Sequence, residues 1–326
     1  MDANLEFWLI AIIISVLLIA LGSALLLPWI RAPLRRVRPE LRANVILAWC
    51  LAPVALGLIM AFAPGPLSAL RLAPAECGRI SHGILQLCGP DCAGGTALPV
   101  LFDIALGAPL LWFFVAVAGR VRAQARFSSR IGTLIAAGNN AGIRGAWVVE
   151  SEVPFAFTVG LRRARIVISS SLNRGLSRDQ MNAVVAHERA HAQRRDVLRF
   201  VAAEAASMAH FPWIRSALLS ELRLASEQAC DRAAAQETGD RVGMATTLLQ
   251  VERLFGGLPL ESSLPAHVLG GDVEARIEEL LRAPEQSRGR SGRFLVAAGL
   301  TFCAAVAFGA VPLHELAASL MTLLRG

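Results

Sequence analysis

Between Val184 and Asp196 the chain reads V-V-A-H-E-R-A-H-A-Q-R-R-D. His187 and His191 stand four residues apart, and Glu188 directly follows the first. On a helix, residues i and i+4 lie on one face, so both imidazoles can address a single cation. Glu188 would be rotated about 100° from His187. From there it can reach a water activated at the cation without being a ligand, as a general base requires. The five-residue pattern H-E-x-x-H is by itself only a hypothesis.

A catalytic zinc takes three protein ligands and keeps one position open. The third ligand is expected from the helical stretch Glu221 to Glu237, which contains S-E-Q-A-C-D. Glu227 can complete a His-His-Glu set, and Asp231, one turn on, can accept the other N–H of a ligand histidine. Glu221 competes for the ligand role, but no acid lies four residues beyond it. The longer H-E-x-x-H-x-x-G-x-x-H pattern fails, because Arg194 and Val197 occupy its Gly and third His positions. The bland alternative is a solvated polar face on an Arg-rich helix. Two halves of a ligand set at workable separation in one region weigh against it.

The elements that must position these residues lie between 119 and 292. Short β-like runs, Ala146 to Glu150, Phe155 to Val159 and Arg165 to Ser169, are separated by turn formers such as Pro154 and Gly160. From Ser177 the pattern turns helical. Ser177 and Gln180 make an S-x-x-Q capping box, in which each side chain satisfies an orphan backbone N–H.

The whole 326-residue chain is 55% hydrophobic, with a mean hydropathy of +0.52. Membrane spans are the expected cause, each needing about 20 apolar residues. Stretches 7–30, 44–63, 97–118 and 294–313 are long enough, and the third holds one acid, Asp103. The motif helix carries too many charges to lie in hydrocarbon itself. The apolar run Val197 to Trp213, broken by Arg199 and Glu204, reads as buried or interfacial. The expected architecture is a mainly α membrane protein. Three spans fill 1–118, a cytoplasmic α+β domain fills 119–292, and a last span and short tail fill 293–326.

All 32 basic residues are arginine, against 25 acids, for a net charge of +7. They cluster beside the spans: Arg31, Arg35, Arg36, Arg38 and Arg42 after the first, Arg120, Arg122, Arg126 and Arg130 after the third. Basic loops stay in the cytoplasm. The N-terminus, the 64–95 loop and the C-terminus are therefore expected outside a bacterial inner membrane, with the 119–292 domain inside. This placement also argues against direct nucleic-acid binding and for contact with membrane lipids. Cys77, Cys88 and Cys92 fall in the outward loop, where a disulfide and plain small loop residues are equally good readings.

With these residues in view, a resemblance emerges. A span-rich first half, the H-E-R-A-H-A-Q-R-R-D helix, S-E-Q-A-C-D-R-A downstream and a further span resemble the antirepressor metallopeptidases, the family of the β-lactam-responsive sensor-transducers. The stretch P-F-A-F-T-V-G-L-R-R-A-R-I-V-I-S-S-S-L (154–172) is similar to strands before the zinc helix there and in the related heat-shock membrane proteases. The resemblance implies a gluzincin-like zinc peptidase with one Zn2+ on His187, His191 and Glu227, Glu188 as base, and Asp231 orienting a ligand histidine. It implies a substrate strand along Phe155, Ala156, Phe157, Thr158, Val159 and Gly160, and a protein substrate such as a cytoplasmic winged-helix repressor. About a dozen residues follow Leu313, too few for a penicillin-binding sensor domain, so drug sensing is not expected. Peptidases of this type often add a Tyr or His at the oxyanion. The chain has no Tyr, which leaves His267, and less favourably Arg232, as candidates.

The leading expectation is thus an integral membrane zinc endopeptidase acting on a cytoplasmic regulator. A membrane-protein quality-control protease and a non-catalytic signalling scaffold are the alternatives, and a homo-oligomer is compatible with each.

Overall fold

A computed structural model describes residues 3–62, 97–137, 145–161, 163–256 and 273–282. These are mostly helical, with one small sheet. The 64–95 loop with its three cysteines, His267 and the expected span 294–313 lie outside the described residues.

Helices α1 (Ala3–Leu34) and α2 (Pro39–Phe62) pack against each other. Their segments Ile12–Leu34 and Pro39–Leu58 are long and apolar enough to cross a membrane. Helix α3 (Ala97–Ala137) runs 41 residues without a break. At about 1.5 Å per residue it is roughly twice as long as the hydrocarbon core is thick. Its first half holds the expected third span, and its second half carries the arginines from Arg120 to Arg130.

Three strands follow: β1 (Ala146–Val149), β2 (Ala156–Val159) and β3 (Arg165–Ser169). The sheet order is β1-β3-β2, with β1 parallel and β2 antiparallel to β3. Side chains alternate across a strand, and the sheet divides accordingly. Ala146, Ala156, Ile166 and Ile168 pack toward Leu172, Met181, Val184 and Val185. Trp147, Val149, Phe157, Val159 and Val167 pack on the other side with Ile131 of α3. Phe127 of α3 also meets Phe157, ring centroids 6.1 Å apart.

Beyond the sheet come α4 (Ser170–Gly175) and α5 (Arg178–Arg194). Both halves of the Ser177–Gln180 capping box form at the start of α5. Arg195 then adopts a left-handed conformation, φ 55°, so α6 (Asp196–Ala206) begins at once in a new direction. A short 3-10 turn leads to α7 (Pro212–Thr238), which ends at Gly239 in the left-handed region. Helices α8 (Arg241–Gly256) and α9 (Val273–Leu281) complete the described chain. The run from Val197 to Trp213 therefore belongs to α6, the turn and the start of α7. Ala203 and Ile214 bury against α2.

Helix α7 has two working faces. Leu218, Leu219, Leu222 and Ala225 join Leu34, Ala43, Ile46 and Cys50 of the α1–α2 pair in one core. Ala234 and Ala235 instead meet Ala183 and Ala186 of α5, with Met244 and Leu248 of α8. The helix thereby links the apolar pair to the motif helix.

Candidate metal centre

The i, i+4 spacing on α5 brings the His187 and His191 rings together, with their Nε2 atoms 3.1 Å apart. Helix α7 supplies Glu227 opposite them. Its Oε2 lies 3.4 Å from His187 Nε2, and its Oε1 3.5 Å from His191 Nε2. Ligand atoms from the three residues all fall within 4.8 Å of one another. Four-coordinate zinc with ligand bonds of about 2.1 Å sets its ligands about 3.4 Å apart. The observed separations fit that figure. Two imidazole nitrogens and a carboxylate turned toward one point also form the donor set that zinc prefers.

Each histidine is fixed from behind. His187 Nδ1 lies 2.9 Å from Asp231 Oδ1, and His191 Nδ1 lies 2.8 Å from Asp196 Oδ2. A carboxylate on Nδ1 holds the proton there and leaves the Nε2 lone pair for a metal. Asp196 reaches His191 because the chain reverses at Arg195. Asp231 and Asp196 are almost completely buried. Arg276 of α9 grips Asp231 with both arms of its guanidinium, Nε to Oδ2 at 2.8 Å and one terminal nitrogen to Oδ1 at 2.7 Å. The same nitrogen lies 3.2 Å from Glu227 Oε2. Burial opposes ionisation of Glu227, but Arg276 and the histidines outweigh it and hold the carboxyl well below its usual range. Asp231 is lowered likewise, Arg276 and His187 overcoming its burial.

Glu188 points to a different side, as its rotation on the helix requires. It is buried, and the Thr158 hydroxyl lies 2.9 Å from its Oε2 and 2.8 Å from its backbone oxygen. Thr158 stands on β2, which pairs only with β3 among the described residues. Among the described residues the strand beside Glu188 thus has one unpaired edge, flanked by Phe155 before it and Gly160 after it. Phe157 and Val159 face the α3 side, while Ala156 and Thr158 face α5.

Other expected residues lie elsewhere. Glu221 sits on the far face of α7, paired with Arg35 at 2.6 Å and Arg31 at 3.5 Å. Arg232 does not approach the centre; it reaches Glu40 at 3.4 Å and Glu279 at 3.6 Å, because that face of α7 meets α2 and α9. Asp196 and Arg276 were both legible as charged residues and carried no role in the sequence. Asp196 is the acid that follows a helix end, and Arg276 stands in D-V-E-A-R-I-E-E-L-L. Cys230 also borders the centre, its sulfur 3.6 Å from Asp196 Oδ2. Burial pushes its thiol up to about 11, and a neutral thiol is a poor metal ligand.

Residues 122–257 match the family model described as Peptidase family M48. The match covers less than half of the chain, and over that segment the protein is similar to a zinc metallopeptidase family. The matched segment contains His187, Glu188, His191 and Glu227 and ends before α9. The match does not extend to the sensor-transducers that the sequence resembles and carries nothing about a repressor substrate. No curated protein and no solved structure matches the chain.

Proposed function

We propose that the chain is an integral membrane zinc metalloendopeptidase whose centre is His187, His191 and Glu227, with Glu188 as general base. The observation that carries this reading is the convergence of the two Nε2 atoms and the Glu227 carboxylate, with Glu188 turned aside next to a free strand edge. Bound zinc would polarise the scissile carbonyl and make a water acidic near neutral pH. Glu188 would take the proton of the attacking water on its carboxylate and deliver it to the leaving amine. Thr158 holds that carboxylate in place, and Asp231 and Asp196 hold the two imidazoles. An extended substrate would add to β2 through main-chain hydrogen bonds, which fits an endopeptidase that cuts unfolded or looped segments.

The substrate we favour is a cytoplasmic regulator, such as a winged-helix repressor. Supporting this are the arginine clusters bordering the apolar helices, which favour a cytoplasmic side for the centre, and the resemblance of 154–172 and 184–196 to antirepressor peptidases.

The test uses the detergent-purified full chain. Elemental analysis should find about one zinc per chain, lost in His191→Ala and in Glu227→Ala. Glu188→Gln should keep zinc and lose cleavage. Retained cleavage by that variant would refute the mechanism, and a metal-free parent would refute the centre. Comparing cytoplasmic and membrane proteins cut by the parent and spared by Glu188→Gln then separates the substrates. One or a few regulators support the signalling role, whereas a broad set of membrane proteins shows quality control.

A further inference from the structure

Arg276 is the one side chain from α9 that enters the metal centre among the described residues. It lies beyond the matched segment. Glu227 keeps 29% of its side chain exposed, while Asp231 keeps none. A half-open carboxylate on a long side chain has rotamers to choose from, and the facing histidines carry no fixed charge when neutral. Arg276 supplies what is missing: one planar fork that meets Asp231 twice and Glu227 once. Its charge also balances the fully buried Asp231, which would otherwise be costly to ionise, and the partly buried Glu227 beside it.

The fork is itself held. Gln228 stands next to Glu227 on α7, and its Nε2 donates to the Ala275 carbonyl at 2.8 Å. Its Oε1 accepts from the guanidinium of Arg42 on α2. Gln228 is buried, so both ends of its amide are committed. The chain Arg42–Gln228–Ala275 therefore fixes the start of α9 on α7 at the residue preceding Arg276.

We propose that Arg276 is a positioning residue of the metal centre, holding Glu227 and Asp231 in one arrangement, with Gln228 as its mount. This rests on the zinc reading above. A lysine keeps the charge but lacks the two-pronged geometry, so the two substitutions separate charge from shape.

Zinc affinity is measured by competition with a zinc chelator, in the detergent-purified full chain, for the parent, Arg276→Gln, Arg276→Lys and Gln228→Ala. Loss of a group that orients metal ligands typically weakens zinc binding about 10–100-fold, and that range is expected for Arg276→Gln. Arg276→Lys should fall between it and the parent, and Gln228→Ala should weaken binding less than either. The melting temperature of each metal-free protein is recorded beside it. Arg276→Gln binding zinc within about twofold of the parent overturns the proposal, as does an affinity loss that only tracks a falling melting temperature. If Arg276→Gln does not fold, Arg276→Lys decides, and parental affinity there overturns it. A parent that binds no zinc sinks the zinc reading itself, which a zinc-loaded parent with an indifferent Arg276 does not.

Discussion

The Thr158 hydroxyl sits 2.9 Å from Glu188 Oε2 and 2.8 Å from the Glu188 carbonyl oxygen. One hydroxyl thus ties the edge strand to the residue expected to move the proton. A hydrogen bond to a charged group contributes about 1.5–3 kcal/mol. Thr158→Val keeps the shape and removes the donor. We expect kcat to fall about 10-fold or more with zinc content unchanged, measured by peptide cleavage beside elemental analysis. Parental kcat in Thr158→Val would show that Glu188 is held by packing alone.

Asp196 and Asp231 hold the two histidines from different elements, Asp196 by a hydrogen bond with His191 Nδ1 at 2.8 Å and Asp231 as a carboxylate 2.9 Å from His187 Nδ1. Asp196→Asn keeps the size and gives Nδ1 an ambiguous partner, so His191 can turn or change tautomer. We expect zinc affinity to fall about 10–100-fold, read by chelator competition. An unchanged affinity would mean that Arg194 and Cys230, which also touch Asp196, are its true partners.

Much of the centre was legible because helix geometry converts spacing directly into proximity. The i, i+4 pairs 187/191 and 227/231 needed only the 3.6-residue period to land on shared faces. The three strand runs and the capping box were legible for the same local reason. What sequence left open was which face of α7 looks where. Glu221 and Glu227 lie on different faces, and only the packing of α2 on one side shows that Glu221 and Arg232 belong to the helix interface. Asp196 depended on a left-handed turn at a non-glycine residue, and such turns leave little signal in side-chain pattern. Arg276 is separated from Glu227 by a long stretch of chain, so no local periodicity could join them.

The turn after β2 depends on Gly160. Its φ is +110°, and a Cβ there would stand 2.3 Å from the Arg163 carbonyl oxygen. The obstacle is backbone, so it cannot swing aside. Gly160→Ala should cost about 1–3 kcal/mol and disturb the register Val159↔Arg165. Thermal unfolding checks the first point. A loss of cleavage larger than the change in zinc content would check the second, because β2 carries Thr158.

Cys230 offers a probe of burial beside the centre. Its thiol is fully buried and pushed up to about 11, so at pH 8 almost none is thiolate. Iodoacetamide should leave Cys230 unmodified in the folded protein and label it on denaturation, as peptide mass spectrometry would show. Rapid labelling of the native chain would place α6 away from α7.

The contact between the apolar helix pair and α7 mixes charge and core, and magnitudes say which dominates. Arg35 is 61% exposed where it meets the buried Glu221, which also keeps Arg31 as a partner at 3.5 Å, so losing the exposed arm alone leaves Glu221 paired and costs about 0–1 kcal/mol. Leu222 is fully buried against the cluster containing Ala43, Ile46 and Cys50, and Leu→Ala at such sites costs about 2–5 kcal/mol. Arg35→Gln should therefore leave the melting temperature in detergent nearly unchanged, and Leu222→Ala should lower it clearly. Because Leu222 is less than two turns before Glu227 on the same helix, Leu222→Ala should also weaken zinc binding. Arg35→Gln matching or exceeding Leu222→Ala in either measurement would make the ion pairs, rather than the apolar core, the attachment of the peptidase domain to the helix pair.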